Sequence, residues 1–188
     1  YQPKVDAQSE KVVGLEALLR WIQPGKGMIS PGVFIPLAER TGLIHDIGLW
    51  VIEEVCSQLK QWHDEGFCIV PVAVNLSAKQ FQSGDLARQV ETILNSYQID
   101  SNWFEFELTE SMIMQNPLSS IRIMNELKKL GIRLAVDDFG TGYSSLNYLR
   151  RLPLDYLKID RSFIDDVTLD FSADAVATSI IGIARSLG

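Results

Sequence analysis

The sequence predicts an α/β fold in which strands and helices alternate around a parallel sheet. Short apolar strand-like runs take turns with amphipathic helical patterns along the chain. Ionisable or amide side chains gather where several of those strands end. The 188 residues are 46% hydrophobic and 22% charged, which suits one domain with a substantial core.

Residues 1–5 (YQPKV) read as the end of a strand and residues 12–19 (VVGLEALL) as the next one. A long helix is expected over residues 43–65, where Val51, Val55, Leu59 and Trp62 are spaced 4, 4 and 3 and Gly66 marks the stop. Residues 70–76 (VPVAVNL) form a strand pattern. Asp85 stands where it can cap a helix whose face is Leu86, Val90, Ile93, Leu94 and Tyr97. Residues 103–108 (WFEFEL) read as a strand. Ile123, Leu127 and Leu130 mark a helix ended by Gly131. Strands follow at 132–136 (IRLAV) and within 155–160 (DYLKID). Val176, Ile180, Ile183 and Leu187 mark the last helix. The stretches 23–27 (QPGKG) and 114–120 (MQNPLSS) read as turns within the domain. There is no low-complexity segment and no linker pattern.

Bulk properties narrow the function. The net charge of -7, without a basic block, argues against a long nucleic acid partner. A small anionic ligand remains open if a cation mediates. No apolar run is long enough to cross a bilayer, so no membrane segment is expected in this chain. Cys56 and Cys68 form no CxxC motif and read as reduced packing residues. His45 and His63, the only histidines, lack zinc-ligand spacing. Tyr1 at the start and a helix-capping Gly188 at the end suggest a chain cut at both ends.

The polar residues carry the functional argument. Asn75 ends its strand. Glu107 lies near the end of another, with Glu110 just beyond. Asp137 and Asp138 end a third, and Lys158 and Asp160 lie late in a fourth. In a βα barrel the C-terminal strand ends form the rim that holds the active site. Strand alternation puts Gly14, Leu18 and Arg20 on the face of Glu16, Ala73 on that of Asn75 and Ala135 on that of Asp137. Small residues one step below these polar ones leave room at a barrel mouth. The opposite faces, with Val70, Val72, Val74, Phe104 and Phe106, are expected to pack on helices. The competing reading is that acidic strand ends are solvated loop starts.

Carboxylates and an amide oxygen are hard ligands, which suit Mg²⁺ or Mn²⁺ rather than zinc or copper. Two adjacent aspartates repel, and each loses hydration on burial. They can serve two neighbouring cations, an arrangement that activates water for displacement at phosphorus. The following FGTGYSS loop is a poor nucleotide fingerprint, because Ser145 replaces the third glycine and no Walker lysine is present. Gly140 and Gly142 suit a loop that positions the aspartates.

GLEALLRW, VNLSAKQF, ELTES, AVDDFGTGYSSLNYLRRLP and LKIDRSFI, in this order, resemble the EAL-type cyclic-di-GMP phosphodiesterase domain of bacterial second-messenger signalling. YQPKV and FIPLAERTGLI agree with it, and the likeness covers essentially the whole chain. The resemblance implies a TIM-like (β/α) barrel with its first strand antiparallel. It implies metal-dependent hydrolysis of cyclic di-GMP to linear pGpG by a two-metal site holding Mg²⁺ or Mn²⁺. Glu16, Asn75, Glu107 and Asp137 would hold the first metal, with Asp137 bridging to the second, held by Asp138. Lys158 would orient the attacking water and offset phosphate charge. Glu110 would tether the DDFGTGYSS loop, and Asp160 would support the shell around the metals and Lys158. Gln2 and Arg20 would contact phosphate, and Leu18 and Pro36 would line the nucleotide groove. A homodimer is implied through the helix after the DDFGTGYSS loop and its neighbour, with residues 143–149 reporting dimer state to the metals.

The family pattern continues past SLG with a strand bearing an EGVE-type glutamate and a last strand bearing a glutamine. Residues 1–188 are therefore expected to be a single EAL-type domain lacking its C-terminal strands, about three-quarters of the roughly 250 residues such a barrel usually has. An upstream regulatory domain is expected, and a cytoplasmic location, with any membrane tether outside this chain. The alternative function is a catalytically incomplete module that binds cyclic di-GMP or a protein partner without turnover. A third reading is an unrelated Mg²⁺ barrel lyase with Lys158 as base, which explains the polar rim but not the ordered motifs.

Overall fold

The computed structural model describes residues 1–141, 146–165 and 171–187. They form two compact units, Tyr1–Phe106 with Leu130–Ile132, and Glu107–Lys129 with Arg133–Gly188.

The first unit begins with β1 (Gln2–Val5), β2 (Val12–Ala17) and a small hairpin of β3 (Trp21–Gln23) and β4 (Gly27–Ile29). Helices α1 (Pro31–Thr41) and α2 (Ile44–Asp64) follow, then β5 (Val72–Asn75), the single-turn α3 (Ala78–Phe81) and α4 (Leu86–Tyr97). β1 runs antiparallel to β2, with Gln2 opposite Glu16 and Lys4 opposite Gly14. β2 and β5 are parallel, with Glu16 opposite Ala73. The long helix falls within one residue of its expected bounds, because its apolar stripe is buried at Ile52, Val55, Cys56 and Leu59. α1 and the two strands of the hairpin have no counterpart in the sequence reading, which read only the hairpin's turn at 23–27. The strands are too short to show periodicity, but α1 carries usable signals in Pro31 at its start and left-handed Gly42 just past its end.

Val72, Ala73 and Val74 are all buried, so β5 is covered on both faces, as parallel strands usually are. Phe104 and Phe106 are buried too, their rings edge-to-face at 5.1 Å. Two expectations are corrected. Asp85 makes no side-chain cap; its carboxylate instead accepts from Arg88 at 2.9 Å. Cys56 is buried, with its thiol pushed up to about 12 by burial and then by Glu53, but Cys68 is exposed rather than a packing residue.

One ion pair lies inside this unit. Lys4 Nζ donates to Glu105 Oε1 at 2.6 Å, and the Glu105 side chain is only 6% exposed. Removing the ammonium leaves a buried carboxylate short of its countercharge. Lys4→Met is therefore expected to cost about 2 to 3 kcal/mol in urea unfolding, near the low end for breaking a buried pair because Lys4 reaches solvent.

β6 (Phe104–Thr109) starts in the first unit and ends in the second. The second unit continues with α5 (Glu110–Gln115), α6 (Pro117–Lys129), β7 (Arg133–Phe139), α7 (Leu146–Leu149), β8 (Tyr156–Ile159) and α8 (Phe171–Leu187). The Thr109 hydroxyl accepts from Met112 N and caps α5. The Asn116 side chain accepts from Ser119 N at 3.3 Å, so the expected turn at 114–120 shrinks to a break between two helices. β7 and β8 are parallel, with Ala135 opposite Tyr156. Asp155 holds the start of this pair, accepting from Leu134 N at 2.8 Å and from Lys128 Nζ at 2.7 Å.

Candidate functional site

The acidic pair sits at a defect in the β7–β8 ladder. Val136 stands opposite Leu157, and Phe139 opposite Ile159. Two residues of β7, Asp137 and Asp138, thus face one residue of β8, Lys158. This is a β-bulge, which breaks the alternation that would send neighbouring side chains to opposite faces. Asp138 takes the left-handed conformation, φ +53°, which aspartate tolerates better than most residues. The bulge lets both carboxylates lie near the same ammonium.

That ammonium is Lys158. Its Nζ donates to Glu107 Oε2 at 2.5 Å and to Asp137 Oδ2 at 2.9 Å. The Glu107 side chain has no exposure and that of Lys158 has 29%. Burial pulls the Lys158 pKa down, but hydrogen bonds and charge attraction from Glu107 and Asp137 outweigh it and hold the pKa above its usual value. The two carboxylates thus favour the charged form of Lys158.

Asp138 behaves in the opposite way to an ion-paired acid. Burial, the charges of Asp137 and Asp160, and a hydrogen bond with Asp160 raise its pKa, with Lys158 pulling back. Asp160 is held low by its hydrogen bonds, first from the Ser162 hydroxyl and then from Ser162 N at 2.9 Å. It caps the short 3-10 turn Arg161–Phe163. The DRS run carries this signal, since an aspartate two residues before a serine commonly forms such a turn.

Glu110 is buried at the head of α5, and its Oε2 accepts from Gly140 N at 2.9 Å. The other face of Gly140 is crowded. A Cβ there would lie 2.9 Å from Phe163 and 3.0 Å from Ile180, and φ is +101°. Gly140→Ala is expected to cost about 1 to 3 kcal/mol through backbone strain alone, read as a lower Tm. Residues 142–145 lie outside the described residues, including Tyr143 of the expected dimer-sensing segment.

The first unit brings another expected pair together. Asn75 Nδ2 donates to Glu16 Oε1 at 2.7 Å. Gln2 is exposed and pairs in register with Glu16. Leu18 and Arg20 line a hollow of about 210 Å³ with Tyr1, Trp50 and Glu54. Arg20 is exposed and donates to Leu19 O at 3.2 Å. Pro36 lies within α1, is exposed, and does not line this hollow.

Among the described residues, no three acidic, histidine or cysteine side chains stand ready as a metal cage. The donor chemistry nevertheless fits a hard divalent ion. Lys158 Nζ is itself a stand-in cation bridging two carboxylates, with the Asp138 carboxyl close enough to feel its charge. Carboxylate and amide oxygens prefer Mg²⁺, Mn²⁺ or Ca²⁺ over softer metals.

The parallel β2–β5 and β7–β8 pairs, an antiparallel β1 and a lysine-bridged acidic strand end describe an α/β domain with hard oxygen donors gathered at strand ends. The chain belongs to the EAL domain family, whose model matches residues 1–188. The fold of that family is a TIM-like barrel, and the antiparallel β1 agrees with it. The signaling protein YkoW of Bacillus subtilis is 46% identical over 187 residues, covering 100% of this chain and 23% of that protein. The bifunctional diguanylate cyclase/cyclic di-GMP phosphodiesterase MucR of Pseudomonas aeruginosa is 45% identical, covering 100% of this chain and 27% of that protein. The solved structure of the PaMucR phosphodiesterase in complex with c-di-GMP superposes with a TM-score of 0.95 at 45% identity, covering 100% of this chain and 76% of the other. The chain thus spans about a quarter of the length of the curated relatives it matches. No helix among the described residues is long and apolar enough to cross a membrane.

Proposed function

We propose that this chain carries a metal-dependent phosphodiesterase activity that cuts cyclic di-GMP to linear pGpG. The observation that carries it is the bulge that sets Asp137 and Asp138 against Lys158, which also bonds Glu107. The names of the relatives support the substrate, since MucR is called a cyclic di-GMP phosphodiesterase and its structure holds c-di-GMP.

The ligands we assign are Glu16, Asn75, Glu107, Asp137 and Asp138, serving a pair of Mg²⁺ or Mn²⁺ ions with Asp137 shared. Such ions, when bound, acidify a water and neutralise charge on phosphate. Lys158 keeps its proton, orients the attacking water and offsets phosphate charge. Asp160 restrains Asp138 through their hydrogen bond. Glu110 restrains the backbone just past the aspartates by holding Gly140 N. Gln2 and Arg20 bind phosphate, while Leu18 and Pro36 border the base. Residues 1–188 act as a single domain, located in the cytoplasm and paired as a homodimer through the helix after the DDFGTGYSS loop and its neighbour.

The test is chromatography of cyclic di-GMP incubated with this chain and Mg²⁺, with Glu16→Ala as control. Linear product that disappears in the control is expected. Binding without product would favour the non-hydrolytic module.

A further inference from the structure

We propose that Gln80 is a positioning residue for Asn75, and that Gly48 exists to seat it. This rests on the proposed role of Asn75 as a metal ligand. Asn75 ends β5, and two residues later Ser77 starts α3. Gln80 N donates to Ser77 Oγ at 3.3 Å, while Ser77 N and Ser77 Oγ donate to Gln80 Oε1 at 3.3 and 2.9 Å. This reciprocal capping box serves a helix of only four residues, too short to be stable in its own right. What it fixes is the turn that leaves Asn75.

The Gln80 side chain is buried, with the whole residue 5% exposed, and it lies directly over α2. A Cβ on Gly48 would stand 1.6 Å from Gln80 Nε2 and 2.3 Å from its Cδ. Any side chain at position 48 must evict the amide. Gly48 lies inside α2 and needs no left-handed backbone. Glycine is a poor helix former, so its place there has no local reason. The buried Gln80 amide is compensated, because its Oε1 accepts from Ser77 N and Ser77 Oγ. The helix-interior glycine and the capping box meet at one turn, and a departure from local preference such as Gly48 is the kind that concentrates at functional sites. Asn75 then meets Glu16 Oε1 at 2.7 Å from a fixed backbone.

The test uses the full chain and three variants. Gln80→Met removes the acceptor at similar volume, Gly48→Ala evicts the amide, and Gln80→Glu keeps the acceptor oxygen. Two quantities are read below the unfolding range: Mn²⁺ affinity by electron paramagnetic resonance, and solvent exchange of the Asn75 side-chain amide protons by NMR. Gln80→Met and Gly48→Ala should each weaken Mn²⁺ about tenfold, as disturbing an outer-shell partner does, and speed Asn75 exchange. Gln80→Glu should stay within about twofold of the parent.

If the Gly48–Gln80 fit were purely structural, Gly48→Ala could lower Tm by displacing the buried amide, but neither Asn75 exchange nor Mn²⁺ affinity would move. That result, or unchanged values in Gln80→Met, overturns the proposal. Should Gln80→Met not fold, Gly48→Ala decides. Should the parent bind no Mn²⁺, the metal reading fails, while Asn75 exchange still judges the positioning.

Discussion

Lys158→Met is expected to reduce cyclic di-GMP turnover about a thousandfold, the scale of losing one group aimed at developing charge. The same substitution should destabilise the metal-free chain by about 3 kcal/mol, because it strips the ammonium from a fully buried carboxylate. The two effects separate with salt and metal. Adding Mg²⁺ should recover stability in the variant, since a divalent ion can take the place of the ammonium. Turnover should stay low, because the water and phosphate contacts proposed for Lys158 would be gone. Alkaline unfolding gives a further reading. The Lys158 pKa is raised in the folded chain. Its stabilisation is therefore complete below the unfolded value of about 10.4 and fades as pH rises through the higher folded value. The parent should lose stability in that alkaline window with a slope that Lys158→Met lacks.

Asp138→Asn should show stability and activity moving in opposite directions. The raised pKa of Asp138 means that the fold disfavours its charge, through burial first and then through Asp137 and Asp160. A raised folded pKa gives stability that is present below the unfolded value and lost as pH rises through the folded one. Above its folded value, the charge on Asp138 therefore opposes folding of the metal-free chain. Asparagine removes that charge and keeps a residue suited to φ +53°. Tm in chelator at pH 7 should rise, and the gain should vanish at a pH below both values. Turnover should fall on the order of a thousandfold, since the group lost would stabilise charge at the reacting phosphate. Equal or lower Tm in chelator would mean that the Asp138 charge is not strained.

The legibility of this chain follows from the length of each signal. α2 has a long apolar stripe and was bounded closely, as was α4 with Val90, Ile93 and Leu94. β3 and β4 are three residues each, and nothing in so short a run fixes a period. α1 lacks a side-chain cap at Ser30 and is half exposed, so its Pro31 and Gly42 were its only clear marks. The acidic strand ends were readable because charge at the end of an apolar strand is itself unusual. The bulge was not, because strand alternation assumes a regular ladder, and the extra residue appears only in the pairing of Val136 and Phe139 with Leu157 and Ile159. Gln80 looked like an ordinary polar residue, since its meaning depends on Gly48, 32 positions earlier and on another helix. The motif residues Glu16, Asn75, Glu107, Asp137 and Lys158 stood out together because the family resemblance spans the whole chain.

The most direct test is a Mn²⁺ titration of this chain followed by carbon-13 NMR of its lysine and carboxylate side chains. Paramagnetic broadening that strikes Lys158 Cε and the carboxyl carbons of Glu107, Asp137 and Asp138 first, and is absent in Asp137→Asn, is the predicted result. Broadening that spares these four residues while striking other surface carboxylates would contradict it, and would leave the bulged pair an acidic loop start with no cation to hold.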